Sequence, residues 1–154
     1  MPKRSAGILM YRRKPHLEIL LVHPGGPFWA KKDLGAWSIP KGEYLPGEEP
    51  LAVARREFEE ETGHPAEGEA LALGEILQPG RKVVTAFALA GELDPAQLRS
   101  NAFELEWPPR SGRKQSFPEV DRAAWFSPQE AQRRILAGQR EFITRLLAII
   151  GNSA

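Results

Sequence analysis

Glu57, Glu60 and Glu61 stand at i, i+3 and i+4, and a helix turning about 100° per residue sets all three carboxylates on one face. Carboxylates crowded in this way repel one another unless a cation lies between them. Their hard oxygen atoms suit Mg2+ or Mn2+. A centre of that kind would neutralise negative charge on a bound substrate and generate hydroxide near neutral pH. A glutamate not saturated by metal would take the proton of the attacking water. Taken alone, E-x-x-E-E more often marks a solvated acidic helix face.

The surrounding spacing favours the metal reading. From Gly42 to His64 the chain reads GEYLPGEEPLAVARREFEEETGH, or G-x5-E-x7-R-E-F-x-E-E-x-G. Seven such positions, each of roughly 5–10% average usage, coincide by chance in far fewer than one window in a million. The segment resembles the signature box of the Nudix hydrolase superfamily, with His64 at the final apolar position and an aromatic, Phe58, at the earlier one. The resemblance implies an α/β/α sandwich with a mixed sheet. It also implies Glu60 and Glu61 as metal ligands, Glu57 as ligand or base, and help from the backbone carbonyl near Lys41. Arg56 would orient a glutamate through a charge-assisted hydrogen bond, while Gly42, Glu48 and Gly63 would support the loop and helix. In this family a water-activating glutamate often lies outside the box. Glu119 is the choice here, in Phe117-Pro118-Glu119-Val120 ahead of a strand, with Glu104 and Glu106 as rivals. The expected catalytic set is thus Glu57, Glu60, Arg56 and Glu119.

Substrate selection is less legible. Trp37-Ser38-Ile39-Pro40-Lys41-Gly42 resembles the W-x-x-P-K-G lead-in of family members that cleave dinucleoside polyphosphates, with Lys41 placed to meet a phosphate. Phe28 and Trp29, in the glycine- and proline-rich stretch Pro24 to Gly35, are candidates to stack on a base, as are Trp107 and Phe117. Aromatic residues are by default core. Arg81-Lys82 and Arg110, Arg113 and Lys114 could hold distal phosphates or form solvated loops. His16, His23 and His64 lack the spacing of a metal site. The resemblance implies a Mg2+-dependent hydrolase of nucleoside diphosphates linked to another group, with a dinucleoside polyphosphate or nucleoside triphosphate as preferred substrate. The alternatives are an RNA 5′-end pyrophosphohydrolase and a non-catalytic nucleotide-sensing module.

Composition narrows the rest. The 154 residues, 42% hydrophobic and 27% charged, suit one domain spanning 1–154 with a substantial core. A net charge of +1 implies no nucleic-acid coat beyond RNA 5′ ends. The absence of cysteine excludes disulfides, thiolate nucleophiles and Cys-zinc sites. Apolar runs such as Leu146 to Ile150 are too short to span a bilayer, so a cytoplasmic location without a membrane partner is expected.

The elements that must position the glutamates follow from pattern and punctuation. Ser5 to Tyr11 and Leu17 to His23 read as strands of a hairpin, and Trp37 to Pro40 as a short extended piece running into a tight turn at Gly42. A helix from about Glu49 to Thr62 has Pro50 in its first turn, an apolar stripe of Leu51, Ala54 and Phe58, and a stop at Gly63. Ala70 to Leu77, Lys82 to Leu89, Phe103 to Trp107 and Ala123 to Phe126 read as further strands. Ser127-Pro128-Gln129-Glu130 caps a helix over Pro128 to Ala137, and Arg140 to Ile150 forms the last.

Overall fold

The computed structural model describes residues 3–13 and 15–151. The long first strand β1 (Lys3–Arg13) pairs in parallel with β5 (Lys82–Ala90) along one edge, from Lys3 opposite Lys82 to Tyr11 opposite Ala90. Its other edge is shared. Its first half pairs with β3 (Lys41–Tyr44) and its last residues pair with β2 (Leu17–Pro24), both antiparallel. β4 (Ala70–Gln78) flanks β5 and β8 (Val120–Phe126) flanks β2, completing a mixed six-stranded sheet in the order β4-β5-β1-β2-β8 with β3 off that path. A separate two-stranded hairpin is formed by β6 (Ala102–Glu106) and β7 (Lys114–Pro118).

Helices cover both faces, giving three layers. α1 (Pro50–Thr62) packs Val53, Ala54 and Phe58 on Ala6, Ile8, Met10 and Leu20. On the opposite face α2 (Pro128–Arg134) and α3 (Arg140–Ile150) bring Ala131, Phe142, Ile143 and Leu146 against Leu9, Ile19 and Leu21. The alternation of Ile8, Leu9 and Met10 between the two cores is the period-two signature of a strand covered on both sides. No helix among the described residues is long and apolar enough to cross a membrane.

Several expectations shift. Gly42 lies within strand β3 rather than in a tight turn, and Trp37 to Pro40 makes only single bridges, Ser38 to Val22 and Trp37 to Ile135. The strand expected at Phe103 to Trp107 ends at Glu106, and β8 begins at Val120 rather than Ala123. β7 forms from residues assigned to no strand. α2 stops at Arg134 because Ile135 is extended, at φ −72° and ψ 150°, and bridges to Trp37. The first strand, expected to end at Tyr11, runs on through Arg12 and Arg13, and Lys14 lies outside the described residues.

Candidate active site

β2 and β3 pair with opposite ends of the same edge of β1, and residues 37–40 run from a bridge to Val22 of β2 into β3. A cavity of about 250 Å³ is lined by Val22, Pro24, Trp29, Ser38, Ile39, Lys41, Glu61, Glu119, Val120 and Leu136. Residues that follow α2 hold residues 37–40. Leu136 donates its backbone N–H to the Trp37 carbonyl at 2.8 Å. The wholly buried Gln139 accepts from the Ile39 N–H at 3.1 Å and donates to the Ser38 hydroxyl at 3.0 Å. Gln139 was invisible in the sequence, since nothing marks one glutamine in a polar stretch as buried.

α1 presents the acidic face. Glu49 caps the helix by accepting from the Ala52 N–H at 2.9 Å, and Gly63, at φ 80°, ends it. Glu57 lies over Gly42, where an added Cβ would fall 2.1 Å from the Glu57 carboxyl carbon. That close approach is why the position needs glycine. Glu61 accepts from the Lys41 backbone N–H. The Pro40 carbonyl points the other way, to the Ile8 N–H at 3.1 Å. Because an extended residue turns its N–H and C=O to the same edge, the Lys41 carbonyl also faces the glutamates.

Arg56 reaches three carboxylates, Glu48 at 3.1 Å, Glu57 at 3.7 Å and Glu60 at 4.0 Å. Glu48 is fixed from both sides, accepting from the Leu45 N–H at 2.8 Å and from Arg56, and both bonds lower its pKa. The other acids shift upward. Burial, then Glu57 and Glu119, push Glu61 up to about 8; burial and Glu60 raise Glu57 despite Arg56, and burial and Glu60 raise Glu119. Burial lowers the Lys41 ammonium, against the pull of Glu61.

Glu119 reaches this cluster through backbone contacts outside the box. Asn101 donates its N–H to the Glu60 carbonyl at 2.9 Å and accepts the Glu119 N–H at 2.7 Å, while Gly25 donates to the Glu119 carbonyl at 2.9 Å. Glu104 and Glu106 are exposed on the hairpin, and Glu106 accepts from the Gly112 N–H at 3.0 Å. Trp29 lines the cavity, whereas Phe28 is exposed and packs edge-on to Trp107 with ring centroids 5.4 Å apart. Phe117 packs with Phe103. His23 is buried between Asp121 and the Lys32 carbonyl, and His64 bonds the Gln97 carbonyl at 2.8 Å in place of apolar packing.

The chemistry of the donors suits a hard divalent cation: oxygen ligands whose negative charges raise each other's proton affinity. Among the described residues no three acidic or histidine side chains converge on one point.

A mixed sheet between helices places the box glutamate Glu61 in the wall of a cavity, the arrangement of a pyrophosphohydrolase of the family whose model the chain matches. The model of the NUDIX domain matches residues 1–146, and the chain belongs to that family. Among solved structures, the fold is similar to an Ap4A hydrolase of C. elegans in a binary complex, at 20% identity and a TM-score of 0.67, covering 95% of this chain and 97% of that one. It is also similar to a mutT/nudix family protein of Listeria innocua (18%, TM-score 0.64, covering 97% and 95%). The MutT protein of Methanosarcina mazei Go1 is a third such structure (21%, TM-score 0.62, covering 96% and 95%). No curated protein sequence matches the chain.

Proposed function

We propose that this chain is a Mg2+- or Mn2+-dependent pyrophosphohydrolase acting on a nucleotide in which a diphosphate is linked to a further group, with dinucleoside polyphosphates and nucleoside triphosphates as preferred substrates. The observation that supports it is that Glu61 and Glu119, from two distant parts of the chain, line one cavity with Lys41 and Trp29, while Glu57 and Glu60 stand close enough to raise the proton affinity of Glu61 and Glu119. The similarity to an Ap4A hydrolase adds support for the dinucleoside class.

In this reading Glu57, Glu60, Glu61 and the Lys41 carbonyl hold the ion, which supplies neutralisation of phosphate charge and a more acidic water. Arg56 restrains Glu57 and Glu60 so that both carboxylates keep one orientation. The Lys41 ammonium, at the cavity wall, meets a phosphate oxygen. Glu119 accepts the proton of the attacking water, a role suited to a carboxylate whose proton affinity is raised. Trp29 offers an aromatic face to the nucleoside.

Hydrolysis in 18O-water of dinucleoside polyphosphates, nucleoside triphosphates, nucleotide sugars and capped RNA would test the reading. One product should carry the label, identifying the phosphorus attacked, and Glu60→Gln should abolish turnover. Absence of product from the whole panel, with Glu60→Gln matching wild type, would sink it.

A further inference from the structure

We infer that the β6–β7 hairpin carries a docking site for the distal nucleoside of a dinucleoside polyphosphate, formed by Phe28, Trp107 and Arg113. The inference rests on the proposed function and assigns the far half of that substrate. Phe103 pairs opposite Phe117 and Leu105 opposite Gln115, and the ladder continues as the Trp107 N–H donates to the Arg113 carbonyl at 2.9 Å. Residues directly opposite each other share a face, and alternate residues along a strand return to it. Trp107 and Arg113 therefore lie on the face that holds Phe103 and Phe117. Glu104, Glu106 and Lys114 lie on the other face.

The chain after β2 covers the near part of that aromatic face. Gly26 sits so close to Phe103 that an added Cβ would come within 3.0 Å of its ring. Two residues further on, Phe28 meets the Trp107 ring edge-on, at 82°, and stays 59% exposed. Each ring of a perpendicular pair keeps a π face free, and a nucleobase of any identity can stack there. Arg113 is exposed beside the pair, the only charged side chain that the register places on this face, and its guanidinium suits the adjoining phosphate.

Position selects the ligand. Arg113 stands six residues from Glu119, roughly 20 Å along an extended strand. The nucleoside beside the reacting phosphorus has Trp29 at the cavity, and a second nucleoside at the end of a polyphosphate chain spans the remaining length to Trp107.

The test compares wild type with Trp107→Ala and Arg113→Ala on diadenosine tetraphosphate, ATP and a 5′-triphosphorylated oligoribonucleotide. Equilibrium binding of a non-hydrolysable methylene-bridged dinucleoside analogue is measured in parallel. Both variants should lower kcat/KM for the dinucleoside about tenfold relative to their effect on ATP, through KM, with matching weaker binding of the analogue. Arg113→Ala, at an exposed position, decides the matter if Trp107→Ala does not fold. Equal losses on the dinucleoside and ATP would show a merely structural role and overturn the inference, as would a selective loss on the oligoribonucleotide. Absence of turnover by wild type on the dinucleoside and on ATP would remove the preferred substrates of the proposed function as well.

Discussion

Glu57 rests on the bare Cα of Gly42, with its carboxyl carbon 2.1 Å from where an alanine Cβ would stand. The strand and the helix of the box are thus keyed to each other, and the key decides where the Glu57 carboxylate points. Gly42→Ala should force Glu57 outward, lowering kcat/KM about 100-fold, as displacements near 1 Å do, and stability by about 1–3 kcal/mol. Combining it with Glu57→Ala should restore most of the stability and none of the activity. A double-mutant cycle read by urea denaturation checks this, and additive losses would refute the contact.

Glu119 is joined to the box through Asn101, whose two backbone bonds span from the Glu60 carbonyl to the Glu119 amide. If Glu119 takes the proton of the attacking water and does not hold the ion, Glu119→Gln should lower kcat by 10²–10⁴-fold. The rise in melting temperature caused by Mg2+ should be unchanged. Glu60→Gln should lose both. A thermal shift lost in Glu119→Gln would reassign Glu119 to the ligands.

The acidic cluster also predicts how the metal-free protein responds to pH. Glu61 is raised from 4.5 to about 8 in the fold, by burial first and then by Glu57 and Glu119. The folded state therefore holds the Glu61 proton more tightly than the unfolded chain does. Its contribution is fully present below about pH 4.5, the unfolded value, and is lost as pH rises through 8. Glu57 and Glu119, also raised, act in the same direction. In chelator, urea midpoints should fall between pH 5 and 9, and Glu61→Gln should flatten the slope. Saturating Mg2+ should restore wild-type stability at the alkaline end. A flat wild-type profile would contradict the burial of Glu61.

These contacts show why part of the site could be read from sequence and part could not. Glu57, Glu60 and Glu61 are legible because helical geometry converts their spacing directly into a shared face. The strands β1 and β2 are legible as apolar runs. Gly42 carried a misleading signal: glycine suggests a turn, yet here it sits in a strand because a side chain from α1 covers it. β7, Lys114-Gln115-Ser116-Phe117-Pro118, buries almost nothing, so no hydrophobic period announces it. Its strand character comes from its partner β6. Glu119 is the choice from sequence over Glu104 and Glu106, and the fold brings it to the cavity while those two stay exposed on the hairpin. Asn101 contributes only backbone atoms, on which sequence is silent.

Gln139 supports the cavity wall from behind, and its removal should be felt in the site without any contact with substrate. Gln139→Leu keeps the volume but leaves the buried Ile39 N–H without an acceptor and the Ser38 hydroxyl without its donor. A buried donor left unpaired costs about 1–3 kcal/mol, which should appear as a lower urea midpoint. The loosened segment runs on to Lys41, whose N–H meets Glu61, so the loss should spread toward the glutamates. Gln139→Glu keeps an acceptor for the Ile39 N–H and should preserve the amide's protection, though at the cost of burying a charge. Amide hydrogen exchange at Ile39 separates the two: fast in Gln139→Leu, slow in Gln139→Glu and wild type. Equal protection in all three would mean that Leu136, donating to Trp37 at 2.8 Å, holds the segment by itself.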